Sequence, residues 1–345
     1  MSKKVFLGMS GGVDSSVSAL LLKEQGYDVT GIYMKNWSED LPGMKCPWAE
    51  DLADAKRVAV QLDLDFDVWD FQAEYKQRVV DYMLAEFQKG RTPNPDVMCN
   101  EQIKFKLFYE RALAAGADYI ATGHYAQVID GKLGRAVDEN KDQTYFLYRM
   151  SDAATAQTLF PVGGMPKPEV KALAAKRGLD VAGKKESMGV CFVGEVGMKD
   201  FLRTYLDTEP GEIRVQETDQ VIGYHDGAIF YTVGQRHGLY LGGGLPYYVV
   251  RKDLAKNIVY VSRNLNADLL WSDTLKLEDL YFRDQFQPAP KQPLLVRLRH
   301  RAPLMPAILQ GNQLEFSQPI KRPAAGQSVV FYDDRICLGG GIIAE

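Results

Sequence analysis

"SGGVDSSVSALLL", residues 10–22, opens on a turn and runs straight into a helix, directly behind the apolar run Val5, Phe6 and Leu7. An apolar strand, a Ser-Gly-Gly turn, and then Val13, Val17, Leu20 and Leu21 at helical spacing make a β-turn-α unit. "GMSGGVDSS" (8–16) is neither Gly-x-Gly-x-x-Gly nor Gly-x-x-x-x-Gly-Lys-Ser/Thr. It still has what a phosphate needs. Gly8, Gly11 and Gly12 let backbone amides crowd one point, Ser10, Ser15 and Ser16 add hydroxyls, and the helix starting near Asp14 turns its positive end on the same place. The missing P-loop lysine argues against γ-phosphoryl transfer. It suits a loop that holds a departing pyrophosphate while the α-phosphate is attacked, with Asp14 helping to hold a magnesium ion. A tight turn with capping serines accounts for Ser-Gly-Gly alone. It does not account for the full Ser-Gly-Gly-x-Asp-Ser after a first strand.

Outward from that unit, apolar runs at 5–9, 29–34, 66–69 and 119–122 alternate with helical patterns over 52–62, 75–87 and 103–113, the pattern of a parallel sheet with crossover helices. Gly26, Gly116 and Gly178 stand where left-handed helix caps belong. Residues 125–137, with Asp130-Gly131 in the middle, read as a β-hairpin appended to that sheet. After residue 206 the texture changes to short β-rich runs, and after "DQFQPAPKQP" (284–293) a last set of strands suits a small barrel. The expected class is therefore α/β. A parallel-sheet domain (1–205) is followed by a small central β-rich domain (206–272) and a C-terminal β-barrel (273–345). "LGGG" at 241 and again at 338 is read as two tight turns.

Composition bounds the function. A formal net charge of -4 gives no global attraction to polyanions, so any nucleic-acid contact needs a local patch. In "VRLRHRA" (296–302), Arg297, Arg299 and Arg301 alternate, so a strand there would present three guanidinium groups about 7 Å apart on one face. That is a phosphate grip. No apolar run is long enough for a signal peptide or a membrane span, and the expected location is the cytoplasm. Cys46, Cys99, Cys191 and Cys337 are too scattered for a disulfide framework and form no Cys-x-x-Cys pair, so no structural metal is expected.

Two of those cysteines lie in telling places. Cys99 sits in "RTPNPDVMCNEQIKF" (91–105), where Pro93 and Pro95 forbid a helix and Asn100 is expected to cap the next one, so the thiol lies at a helix N-terminus that favours the thiolate. Asp96 could position a substrate or move a proton. Cys191 lies in "KKESMGVCFVGE" (184–195), a glycine- and lysine-containing stretch suited to a shuttle. Either cysteine alone could be inert and structural, as Cys46 and Cys337 are expected to be. Together with the phosphate loop they point to persulfide chemistry.

The loop resembles the pyrophosphate loop of the N-type ATP pyrophosphatases (adenine nucleotide alpha hydrolase-like proteins), which adenylate a substrate oxygen and then displace AMP. More closely, "GMSGGVDSSV", "NPDVMCN", "TGHYA", "KDQTYFLYRM", "GVCFVGE", "GEI", "YTVGQRHGL" and "CLGGGII" follow in order the tRNA-specific 2-thiouridylase family, from residue 8 to residue 343. The resemblance implies an enzyme that adenylates the wobble uridine of tRNA on its C2 oxygen and replaces that oxygen by sulfur, forming 2-thiouridine. It makes Cys99 the nucleophile and Cys191 the persulfide carrier, the two ending as a transient disulfide. It places ATP on Gly8, Met9, Ser10, Gly11, Gly12, Val13, Asp14 and Ser15, with Met34 and Gly123 close to the nucleotide. Asn94, Pro95 and Asp96 would face the flipped target base. His124, Lys141, Asp142, Gln143, Arg299, His300 and Gln327 match positions that touch tRNA. The implied partners are the anticodon region of tRNA and a persulfide donor protein, with the enzyme a monomer. Departures from the family pattern are Glu186 and Met188, where Asp and Thr are usual, and His300 in place of an aromatic residue. The alternatives are another adenylating ligase of the superfamily, amidating or argininosuccinate-type, for which the cysteines are incidental, and a non-catalytic RNA-binding sulfur carrier.

Overall fold

The computed structural model describes residues 2–40, 46–185, 197–242, 245–264 and 268–344; Cys191, Glu186 and Met188 lie outside the described residues. The first sheet is built from β1 (Lys4–Gly8), β2 (Asp28–Lys35), β3 (Asp65–Asp70), β4 (Tyr119–Thr122) and, past the hairpin β5 (Ala126–Ile129) and β6 (Lys132–Arg135), the short β7 (Thr158–Leu159). All its pairings are parallel, in the order β3-β2-β1-β4-β7. Val5 and Leu7 of β1 have no exposed surface, because helices cover both faces. The chain moves from β1 outward through β2 and β3, then returns to the other side of β1 for β4. Strand order thus reverses at the carboxyl ends of β1 and β4, the place where open α/β sheets bind ligands. The Ser-Gly-Gly turn leaves β1 at that point and enters α1 (Val13–Glu24), while α2 (Trp48–Gln61) follows β2. Gly26, Gly116 and Gly178 take the expected left-handed conformation.

The hairpin forms as its sequence dictates, with Asp130 and Gly131 at φ 51° and 79°, as a tight mirror-image turn requires. Its destination differs from the expectation. It joins the C-terminal sheet: Gly134 pairs with Ile336, and the Arg135 amide donates to the Arg335 carbonyl at 2.7 Å. A hairpin's alternation says which face is apolar but not which edge it will meet.

The central sheet, β8 (Gly211–Val215), β9 (Val221–His225), β10 (Tyr248–Asp253) and β11 (Ile258–Ser262), has the order β10-β11-β8-β9 around Ile213, Val249, Val259 and Val261. Strands β12 (Trp271–Phe282), β13 (Pro293–Arg297), β14 (Met305–Gln310), β15 (Gln313–Lys321), β16 (Ser328–Asp333) and β17 (Ile336–Ile343) close into a six-stranded antiparallel barrel through the β12–β17 pairing. Leu275, Leu277, Leu294, Val296, Leu314 and Phe331 fill it. The second "LGGG" is no turn: Gly339, Gly340 and Gly341 lie inside β17. A Cβ on Gly339 would stand 2.0 Å from the Tyr281 carbonyl, and one on Gly340 2.8 Å from the Tyr148 ring. Glycine is there so that β12 and the first domain can approach the strand. None of the described helices is long and apolar enough to cross a membrane.

The segment 141–150 joins the first domain to the barrel. Tyr145 Oη donates to the Ser328 carbonyl at 2.9 Å, Thr144 Oγ1 meets Tyr332 Oη at 3.1 Å, and Arg297 Nη1 pairs with Asp142 Oδ2 at 2.6 Å. Arg297 and Asp142 are both buried, with side chains 4% and 0% exposed. Removing one member of such a pair leaves the other charged and unmatched, typically costing about 3–5 kcal/mol. Asp142→Ala is therefore expected to lower the melting temperature by roughly 10 °C, with Asp142→Ala/Arg297→Met recovering part of the loss. Differential scanning calorimetry of the three proteins checks this, and a single mutant melting like the wild type would contradict it.

Candidate active site

The turn after β1 is shaped by what surrounds it. A Cβ on Gly11, at φ 72°, would lie 2.3 Å from the Asp51 carbonyl of α2, and one on Gly8 2.8 Å from Met34 Cε. Gly12 is the N-cap of α1 and offers no side-chain cap. The first amides of α1 are thus left for an anion. Of the three serines, Ser16 is buried and donates to the Gly12 carbonyl at 2.9 Å, so it faces away from the loop opening. Ser10 is exposed, and its Oγ meets Ser15 Oγ at 3.3 Å. Gly123, just past β4, lies so close to α1 that a Cβ would stand 2.7 Å from the Ser15 amide nitrogen. Met34, Gly123 and the turn therefore form one neighbourhood.

The lysine missing from the turn arrives from elsewhere. Lys167 begins the helix α3 (Lys167–Lys176), and its ammonium donates to both Asp14 carboxylate oxygens, at 2.6 and 2.8 Å; Tyr125 Oη donates to Asp14 Oδ1 at 2.9 Å. Lys167 is buried at 6% exposure. A buried cation on the first turn of its own helix opposes that helix's dipole. Sequence reasoning missed it because 153 residues separate it from Asp14; the one signal was a lysine at the wrong end of a helix.

The 91–105 segment departs from expectation. Pro95 does not forbid a helix; it occupies the first position of the short helix Pro95–Cys99, where a missing N–H costs nothing. The cap is Asn94, whose Oδ1 accepts from the Val97 amide at 3.4 Å, and not Asn100, whose side chain donates to the Phe146 carbonyl at 3.2 Å. Cys99 is therefore the last residue of a first helical turn, 2% exposed, and the chain continues as a π-helical segment, Asn100–Phe108. The barrel holds this segment in place: the Thr92 amide donates to the Ala325 carbonyl, and Gln327 Nε2 donates to the Thr92 carbonyl at 2.7 Å. Burial holds the Asp96 carboxyl above the usual carboxylate range, with Lys104 offsetting only part of the push. His124 packs tilted against Phe105 and edge-on to Phe160, and burial, aided by Lys104, pushes it well below the usual histidine range.

The residues matched to tRNA contact divide. Lys141 and Gln143 are partly exposed, the latter accepting from the Tyr125 amide at 2.9 Å. Asp142 is committed to Arg297 and the interdomain joint. The three-arginine face does not form. Strand β13 ends at Arg297, which is buried, and Arg301 sits in a turn at φ 63°. Arg299 is exposed; His300 is half-buried 4.6 Å from the Phe146 ring, and burial pushes it down to about 4. Cys337 lies wholly inside the barrel wall, where burial pushes its thiol up to about 11, and it is a poor nucleophile. No cluster of three metal-ligating side chains occurs among the described residues.

A parallel sheet with a glycine-lined phosphate turn at its switch point, followed by two β domains, defines a nucleotide-binding HUP domain carrying barrel modules. Family models match accordingly: a tRNA methyl transferase HUP domain over 3–195, its PRC-barrel domain over 199–263, and an aminomethyltransferase beta-barrel domain over 272–343. The chain is 46% identical to the tRNA-specific 2-thiouridylase MnmA of Enterococcus faecalis, over 99% of this chain and 95% of that one. To the protein of the same name from Idiomarina loihiensis it is 47% identical, over 100% and 96%. Among solved structures, a 4-thiouridine synthetase–RNA complex with bound ATP overlaps at a TM-score of 0.38 and 18% identity, over 53% of this chain and 43% of that one. The chain belongs to the MnmA family of tRNA-specific 2-thiouridylases.

Proposed function

We propose that this protein forms 2-thiouridine in tRNA, using ATP and a protein-bound persulfide. The observation that carries the reading is the glycine-lined phosphate turn at the switch point of the sheet, with Gly123 packed against the start of α1. Family membership supports it. The amides of α1, Ser10, Ser15 and Lys167 bind the β- and γ-phosphates, and Met34 lies against the adenine. A single carboxylate beside phosphates is the donor set magnesium accepts, so Asp14 would hold the ion together with phosphate oxygens, neutralising the leaving pyrophosphate.

Asn94, Pro95 and Asp96 receive a uracil turned out of the anticodon stack. Its C2 oxygen bonds to the α-phosphorus as the bond to pyrophosphate breaks. The terminal sulfur of a Cys191 persulfide then bonds to C2, and AMP departs with the former oxygen. The Cys99 thiolate attacks the Cys191 sulfur, so the sulfur–sulfur bond of the persulfide gives way to a Cys99–Cys191 disulfide and C2=S remains. A reductant must open the disulfide before the next turnover. Lys141, Gln143, Arg299 and His300 would contact the tRNA around the pocket. Asp142 and Gln327 act on it indirectly, through the joint and the 92–95 segment. The divisions at 205 and 272, action as a monomer, and a cytoplasmic location are part of the same reading. Incubation with ATP, magnesium, a persulfide donor and unmodified tRNA is expected to yield AMP, pyrophosphate and 2-thiouridine by nucleoside mass analysis. Release of ADP would reject the reading.

A further inference from the structure

The π-helical segment after Cys99 places a side chain where an α-helix would not. An α-helix turns about 100° per residue, so residue 104 would point some 140° away from residue 99. With hydrogen bonds from i to i+5 it comes back close to the same face, and π turns of this kind recur at functional sites. Lys104 is thereby carried toward the face of Asp96 and Cys99. Its ammonium bears on the Asp96 carboxylate and approaches His124 Nε2 at 3.5 Å. His124 Nδ1 lies 2.8 Å from Thr122 Oγ1. A neutral ring with its proton on Nδ1 satisfies both contacts: Nδ1–H donates to Thr122, and Nε2 accepts from the ammonium. Thr122 pairs in register with Gly8, the first glycine of the phosphate turn. A polar chain from Asp96 through Lys104, His124 and Thr122 therefore links the segment proposed to face the base with the strand end that carries the phosphate turn.

We propose that Lys104 is a positioning residue of the adenylation step: brought by the π turn to the face of Asp96, its ammonium is the counter-ion of a carboxylate that accepts the N3 proton of the target uracil. The proposal rests on the thiouridylase reading above. A uracil carbonyl is a weak nucleophile while N3 keeps its proton. As C2–O bonds to the α-phosphorus and pyrophosphate leaves with the electron pair of the broken P–O bond, the N3–H pair becomes the N3=C2 double bond and the proton passes to Asp96. The proton returns to N3 when the Cys99 thiolate takes the Cys191 sulfur, the S–S bond to the base-bound sulfur breaks and C2=S forms. Adenylation involves no redox change. The charged group that bears on Asp96 is Lys104 on the π segment, and His124, beyond β4, meets that same ammonium. On the barrel side, Arg299 bears on Tyr145, whose hydroxyl bonds Asn94.

The test is the pH profile of single-turnover, tRNA-dependent pyrophosphate release for the full-length wild type, Lys104→Gln and Lys104→Arg. Without the cation, Asp96 protonates at higher pH. The acid limb of Lys104→Gln is therefore expected to move up by about one pH unit or more, with the loss largest near pH 6 and shrinking toward pH 8. Lys104→Arg is expected to return the limb toward wild type. A limb that does not move overturns the proposal, because a purely structural role lowers the rate equally at every pH. Should Lys104→Gln not fold, the carboxyl titration of Asp96 by carbon-13 NMR in the wild-type enzyme decides: a midpoint below pH 6 supports the proposal, and one above 7 overturns it. Wild-type enzyme releasing no tRNA-dependent pyrophosphate would instead remove the thiouridylase reading itself.

Discussion

Cys99→Ser is expected to lower 2-thiouridine formation by at least about 10³-fold, the scale on which losing a nucleophile acts, while first-turnover pyrophosphate release stays within about 10-fold. The split follows from the order of steps. Adenylation uses the phosphate turn and the base pocket, and only the closing sulfur exchange needs the thiol. Serine is close to cysteine in size, so the buried site at the end of the first helical turn keeps its packing. Any general loss of fold would appear in the melting temperature and in pyrophosphate release together. Cys337→Ser makes the matched control, because that thiol is enclosed in the barrel wall and held protonated by burial; its thiolation rate is expected to match wild type. An amidating or argininosuccinate-type ligase has no use for Cys99. Full activity of the mutant with a nitrogen nucleophile, and no thiolated product from wild type, would move the protein to that branch.

The parts of the fold legible in the sequence are those set by local chemistry. Strands β1 to β4 lie where β-branched and aromatic residues run together, and the phosphate turn follows from glycines, serines and an aspartate in one short stretch. What escaped depends on distance or on small differences between near-equal local states. Lys167 reaches Asp14 from a helix beyond β7. The hairpin's outer edge could meet either sheet, and the barrel supplied a partner at Ile336. Pro95 was read as a breaker because proline interrupts helices in their interior, yet at the first position its fixed φ favours one. The π segment carries no composition of its own; kinked at Phe105, it differs from an α-helix by one residue in its hydrogen-bond partner. The arginine alternation failed because all four residues after Arg297 bend or turn, so period two ends one residue into the pattern. Asp142, matched to tRNA contact by position, is fixed by a counter-ion 155 residues further on.

Lys167→Met is expected to cut tRNA-dependent AMP formation by about 10²–10³-fold, as removal of one fixed electrostatic partner of a developing charge does, and to raise the KM for ATP. The lysine is buried on the first turn of α3, where its ammonium pairs with Asp14 over the Tyr125 ring and the Asp138 carboxylate accepts from its amide at 2.8 Å. Asp14 itself lies on the first turn of α1, whose amides present a positive end, so both helix starts direct positive charge to the place where phosphates would sit. A polyphosphate fits that convergence of positive charge. When ATP enters, the ammonium can turn from the carboxylate toward the phosphates and leave Asp14 to magnesium. The pair is only partly enclosed, since the Asp14 side chain is 31% exposed. Its loss is therefore expected to cost stability only about 1–2 kcal/mol, less than a fully buried pair. Lys167→Arg keeps the charge but not the compact shape, and partial recovery is expected. Asp14→Asn separates the two roles. It should leave binding of magnesium-free ATP intact or tighter while lowering turnover, whereas Lys167→Met should weaken ATP binding with and without magnesium. Isothermal titration beside AMP release reads both, and a Lys167→Met enzyme that binds and turns over ATP like the wild type would reduce the lysine to a strut for Asp14.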